Sequence, residues 1–186
     1  MSKVKKNKQR KLVDYKWILT ITSIAFIISI IFSFISELII PNTTIVVSII
    51  LVLFFIVLGV IFDMVGVAST AAEASQFHSM ASKKIKSAKV AIMLIGNSDR
   101  VSSICCDVVG DICGIISGSG AAAISAMLVL ELGTKSIIPA LLVTSITAAL
   151  TIGGKAMGKG FAVNKSNNIV NSFSKVISPF VKLDKK

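Results

Sequence analysis

Four long apolar runs, each nearly free of charge and separated by short polar segments, set the pattern of this chain. Trp17 to Ser36 carries no charged residue over 20 positions, close to what a helix needs to cross about 30 Å of hydrocarbon. Tyr15, Lys16 and Trp17 suit an anchor at its inner end, and Glu37 to Thr43, with Pro41, reads as a short outer loop. The second run starts at Thr44 and is dense in Ile, Val, Leu and Phe. It does not stop cleanly, because Asp63, Thr70 and Glu73 continue it on the small-residue stretch GVASTAAEA. Residues 74–96 have a different rhythm: Phe77, Ala81, Ile85, Ala88, Ile92 and Ile95 fall at helical spacing, with Lys83, Lys84, Lys86 and Lys89 on the other side. That pattern predicts one helix lying in the membrane interface. Gly96-Asn97-Ser98-Asp99 breaks it, and Asn97 or Ser98 can cap the next helix. The third run covers about 101–130, and Glu131 to Lys135 forms a second outer loop. The fourth covers about 136–152, with Pro139 near its start, where the ring is tolerated, and Gly153-Gly154 at its expected end. Ile169, Phe173, Val176, Ile177 and Phe180 make a second amphipathic segment.

The fold class expected is therefore an all-α membrane protein of about four transmembrane helices plus two amphipathic interfacial helices on the cytoplasmic side. Residues 1–16 form a basic cytoplasmic tail and 17–165 the transmembrane domain, with spans at about 17–36, 44–66, 101–130 and 136–152. Residues 166–186 form a juxtamembrane segment and basic tail. Composition agrees: 54% of the 186 residues are hydrophobic and the mean hydropathy is +0.86, a balance that excludes a soluble globular domain of this size. The net charge of +11 would raise nucleic acid as a partner, but its placement argues otherwise. Lys and Arg crowd residues 1–16, the stretch from Glu73 to Arg100, and the chain after Gly153, leaving only Lys135 elsewhere. This is the positive-inside pattern, which puts both termini in the cytoplasm of a cell-membrane protein and the basic tails against anionic headgroups. A cleaved signal peptide fits poorly, since the first apolar run is too long and no A-x-A site comes after it. Cys105, Cys106 and Cys113 all lie in the third run without a C-x-x-C pair, so they read as small packing residues rather than a disulfide framework or zinc site.

The chemistry concentrates between Asn97 and Ala126. Asp107 and Asp111 are four residues apart and share a helix face, with Ser103 one turn before them. Beside them Gly110, Gly114, Gly118, Ala122 and Ala126 repeat every fourth residue, a small-residue stripe suited to close approach by another membrane helix or a second subunit. Acids at membrane depth are expensive and mark function by default. Magnesium takes oxygen ligands in near-octahedral geometry, so Thr70 and Glu73 from one helix and Ser103, Asp107 and Asp111 from another form the candidate metal site. The plainer alternative is that these acids bond Ser, Thr or backbone groups at helix ends and that Asp63 simply meets the interface. His78 reads as a wet interfacial residue, and the Gly-Ser-Gly at 118–120 as packing rather than a phosphate loop.

The order TAAE (Thr70–Glu73), basic helix, then NSDR (Asn97–Arg100) opening a small-residue helix resembles the membrane domain of the CNNM/CorC (CorB) magnesium transporters. That family closes a span with Ser-Gly-Ser/Ala-Glu, opens the next with Asn-Pro-Asp-Arg, and carries a Gly-Asn within it. Thr70 stands for the serine, Ala71 for the glycine and Glu73 for the glutamate; Ser98 replaces the proline. Gly110-Asp111 is similar to the Gly-Asn pair once two residues are inserted. Residues 154–183 are similar to the family's juxtamembrane helix. The resemblance implies a homodimer with a magnesium site lined by the glutamate, hydroxyl and asparagine positions, and magnesium (or cobalt) transport with sodium as coupling ion. The first span is additional to the family pattern, and the family's paired CBS regulatory domains have no counterpart here.

The resulting expectation is a divalent-cation transporter or its minimal membrane module, without enzymatic activity. The alternative is a non-transporting small subunit that associates with a partner membrane protein. A membrane enzyme is a third and weaker reading, because Ser103-xxx-Asp107-xxx-Asp111 faintly resembles the metal-binding aspartates of CDP-alcohol phosphotransferases. The upstream elements of that motif are missing.

Overall fold

A computed structural model describes residues 15–39, 43–133, 136–179 and 181. The basic tail of residues 1–14, Pro41 of the first outer loop, the Thr134–Lys135 end of the second, Phe180 and residues 182–186 lie outside the described residues. Helices succeed one another in the order α1 (Tyr15–Ile39), α2 (Ile45–Ala71), α3 (Ala74–Ser82), α4 (Lys86–Gly96), α5 (Ser98–Ser102), a π-helical segment (Ser103–Gly110), α6 (Asp111–Glu131), α7 (Ile138–Asn164) and α8 (Ser166–Ile177). Helices α5, π and α6 are continuous, so four helices are long and apolar enough to cross a membrane: α1, α2, the Ser98–Glu131 helix and α7. The chain is an all-α membrane protein.

Helix α2 is the hub. It packs along the α5–π–α6 helix on one side and α7 on the other, and those two also touch each other. Helix α1 joins from outside, laying Ile21, Ala25 and Ile28 on Val108, Ile112 and Ile116 beside Phe55 of α2. Its opposite face is exposed at Phe26, Ile30 and Phe34, as lipid-facing side chains must be. At the outer end Val52 and Ile56 of α2 meet Ile124 and Val143. At the lysine-rich end, Ala68, Phe77, Ala91, Ala162 and Val170 close a separate small core between α2, α3, α4, α7 and α8.

Glycines set how closely the hub helices approach. A Cβ at Gly158 of α7 would come within 2.9 Å of Met64 and one at Gly154 within 3.1 Å of Val60. On α2, a Cβ at Gly59 would lie 3.1 Å from Cys113, and one at Gly66 would collide with Cys106 Sγ. Packing without a hydrophobic driving force rests on such close contacts. Cys105 and Cys113 are buried in this seam, in the packing role expected of them.

Three expectations are corrected. Gly153-Gly154 does not end the fourth span: α7 runs on to Asn164, because Gly154 and Gly158 are there for contact with α2 and the neighbouring side chains hold the helix. Residues 74–96 form two helices, not one, separated by a turn at Lys83–Ile85 in which Lys84 has φ of 60°. Ala88, Val90 and Ala91 of the second are fully buried by protein rather than resting on headgroups. The small-residue stripe is only partly used inside one chain: Gly110 is buried, whereas a Cβ at Gly114 or Gly118 would meet nothing within 4 Å and Ala122 is exposed.

Candidate functional site

Polar groups from all three hub helices meet around Asp63, on α2 between Phe62 and Met64. The Asp63 side chain is only 3% exposed. Lys159 of α7 reaches it from the rim, its Nζ 3.5 Å from Oδ2, with its own side chain half in solvent. That oxygen is buried and accepts no hydrogen bond among the described residues. One turn earlier on α7, Lys155 Nζ donates at 3.2 Å to Oδ1 of Asp111, the first residue of α6. Gly110 sits between the two pairs: a Cβ there would be 3.6 Å from Lys155 Nζ and 3.9 Å from Asp63 Oδ1. At those distances a Cβ would make ordinary contact with both pairs, and its tightest neighbour would be the Cys105 carbonyl oxygen at 3.3 Å. The Cys106 thiol donates to the Asp63 carbonyl at 3.5 Å, and Ser102 Oγ lies 3.8 Å from the same sulfur.

The local reason is the π-helical segment. Its wide turns carry Cys105, Cys106 and Asp107, and such segments inside α-helices gather at functional sites. Here the wide turn brings Cys106 against α2 at Gly66 and Asp63 while leaving Asp111 opposite α7. The energetics are demanding. Taking a carboxylate out of water costs several kcal/mol even after relaxation, and a single, long pairing to a half-exposed lysine repays it incompletely. A buried polar atom left without a hydrogen bond calls for an explanation beyond stability.

The residues expected to bind metal are not gathered at one point. Asp111 enters the cluster. Asp107 is exposed on the π-helical segment, and Ser103 starts that segment, two turns from Asp111. Thr70 is exposed, its hydroxyl donating to the Val67 carbonyl at 2.8 Å. Glu73 lies beyond the end of α2, exposed, at the N-cap of α3, with its backbone N–H donating to Asn167 Oδ1 at 3.0 Å. It lies two residues past the end of α2, which itself runs about 12 Å beyond Asp63. Among the described residues no group of three or more His, Cys, Asp or Glu is placed to hold a metal ion. Asp63, Lys155 and Lys159 take the places that Thr70 and Glu73 were expected to fill. The sequence carries a signal for them. Within their helices the uncharged stretches are Ile45–Phe62, Ile112–Leu130 and Ile138–Gly154. The charge that bounds each on the lysine-rich side is Asp63, Asp111 or Lys155.

The arrangement combines two chemical features. It offers carboxylate oxygens on two helices, and it neutralises each of them with a lysine ammonium group from the third. His78 is exposed on α3, away from these groups. No family model and no curated protein matches the sequence.

Proposed function

We propose that this chain is the membrane-embedded unit of a cation transporter in which Asp63 and Asp111 bind the ion and Lys155 and Lys159 occupy its place between cycles. The observation that carries the reading is the buried Asp63 carboxylate, with one oxygen short of partners, at the junction of three spans. Ionisable residues inside a membrane bundle mark ion pathways by default. Two carboxylates face two ammonium groups, and one divalent ion carries the charge of both ammonium groups it displaces. Exchange of the ammonium groups for magnesium would keep the charge at the two carboxylates balanced while both lysines, still charged, swing toward solvent. The motif order that resembles the CNNM/CorC membrane domain supports the same class of cargo, with sodium as the candidate coupling ion. The lysine-rich end, by the positive-inside rule, belongs in the cytoplasm of a cell membrane.

Purified protein in liposomes loaded with a magnesium-sensitive dye tests this. Wild type is expected to admit magnesium, Asp63→Asn to fall to the background of empty liposomes, and Glu73→Gln to retain most of the flux. Magnesium flux that survives Asp63→Asn, or a folded wild type that moves neither magnesium nor sodium, overturns the proposal.

The second reading, a subunit of a larger membrane assembly, has its own support in the open groove at Gly114 and Gly118. A second copy or another membrane helix fits such a surface. Under that reading, Gly118→Leu dissociates the assembly without changing the fold of the single chain.

A further inference from the structure

Helix α8 does not cover α2 and α7 completely. Between the three lies an open groove of about 420 Å³, and its walls are Ile61 and Val65 of α2, Phe161 of α7, and Ile169, Phe173 and Val176 of α8. The remaining lining residues, Lys165, Asn168 and Ser172, are polar. On α8 the residues at 168, 169, 172, 173 and 176, with Lys165 just before it, keep i, i+3, i+4, i+7 spacing, so one face of the helix forms its side of the groove. The helix is tied at its start to the end of α2, where Ser166 Oγ donates to the Ala71 carbonyl at 3.4 Å and Asn167 Oδ1 accepts from Glu73 N. Val176, at its far end, shares the groove with Ile61, ten residues back along α2. The groove therefore runs from a polar mouth at the basic end toward the apolar part of the bundle.

Lys165 marks that mouth. It is the residue that joins α7 to α8, so its backbone is fixed by both helices. Its Nζ sits 5.0 Å from the centre of the Phe161 ring, itself a groove wall. Among the described residues no acid lines the groove, and none lies in the first turn of α8, whose N-terminus carries no side-chain cap. An ammonium at the entrance of an apolar channel, where the last candidate span gives way to α8, suits an anionic phospholipid. Its phosphate would pair with Lys165 and one acyl chain would lie along Phe161, Ile169 and Phe173. We infer that this groove is a binding site for a single anionic phospholipid, independent of the cation cluster and holding α8 against the bundle.

Native mass spectrometry of the whole 186-residue chain in neutral detergent reads this directly, with phosphatidylglycerol and phosphatidylcholine of identical acyl chains added in equal amounts. Wild type is expected to retain phosphatidylglycerol in about fivefold excess, and Lys165→Gln to bring the ratio near one. Val176→Trp, at an exposed position that tolerates bulk, fills the groove and lowers retention of both lipids. Lys86→Gln combined with Lys89→Gln removes two lysines elsewhere on the basic end and is expected to leave the ratio unchanged. A ratio that survives Lys165→Gln, or falls equally in the Lys86/Lys89 variant, means diffuse attraction to a basic surface and overturns the site. Far-UV circular dichroism of each variant confirms that the helices are intact before the ratios are compared.

Discussion

Asp63 and Asp111 are both carboxylates paired with lysines one turn apart on α7, yet their surroundings give them different energetic weight. Asp111 is two-thirds exposed, and an ion pair in that setting is worth about 0–1 kcal/mol. Asp63 is enclosed, so removing its partner leaves a buried charge. Lys159→Met is therefore expected to destabilise the protein by about 1–3 kcal/mol, and adding Asp63→Asn to it to recover most of that loss. A double-mutant cycle on detergent melting temperatures measures the coupling, and an additive cycle would show that the two side chains do not interact. The packing role of the cysteines was legible from the sequence, because small apolar residues without metal spacing have few other uses. The weight of Asp63 was harder to read. A carboxylate just past an apolar run looks the same whether it meets water or a lysine from a helix far later in the chain, and only tertiary contact separates the two.

At the level of helices, the hub is a glycine seam whose members lie on α2 and α7. Gly158→Leu must push Met64 and Val60 aside and is expected to cost about 1–3 kcal/mol. Gly118→Ala, in open space, is expected to be neutral or to stabilise by up to about 1 kcal/mol through helix propensity. Thermal melts of the two variants separate these outcomes. The number and order of the spans could be read from apolar run length alone. The course of α7 could not, because Gly153-Gly154 has the same spelling whether glycine ends a helix or admits a neighbour. The four-residue stripe on α6 was visible in the sequence, but its orientation was not. Periodicity finds a face without saying what lies against it.

Across the whole molecule, charge divides the two ends. Lys155, Lys159, Lys165 and Lys175 join the lysines of the α3–α4 turn and α4 at one end of the bundle, while Glu131 lies at the other. Fusing a fluorescent protein that matures only in the cytoplasm to either terminus is expected to give equal signal, as an even number of spans requires. Signal from only one of the two fusions would exclude four crossings. The amphipathic helices at the basic end were legible as amphipathic. Their mutual packing over Ala68, Ala91 and Val170 was not, since a face that suits headgroups equally suits another protein surface.

The wide turns at Ser103–Gly110 bear on how the third crossing tolerates changes of length. An ordinary helix advances about 100° per residue, so losing one residue throws every later side chain out of phase with its neighbours. A π-helical stretch already holds a surplus residue and can surrender it while both flanks keep their bearing. Deletion of Ile104, an exposed position within that stretch, should leave melting within a few degrees of wild type. Deletion of Ile115, also exposed but inside regular α6, should swing one half of the crossing away from α2 and prevent assembly. The slack in this bundle is thus confined to the one place where its cysteine and carboxylates meet the lysines of the last span.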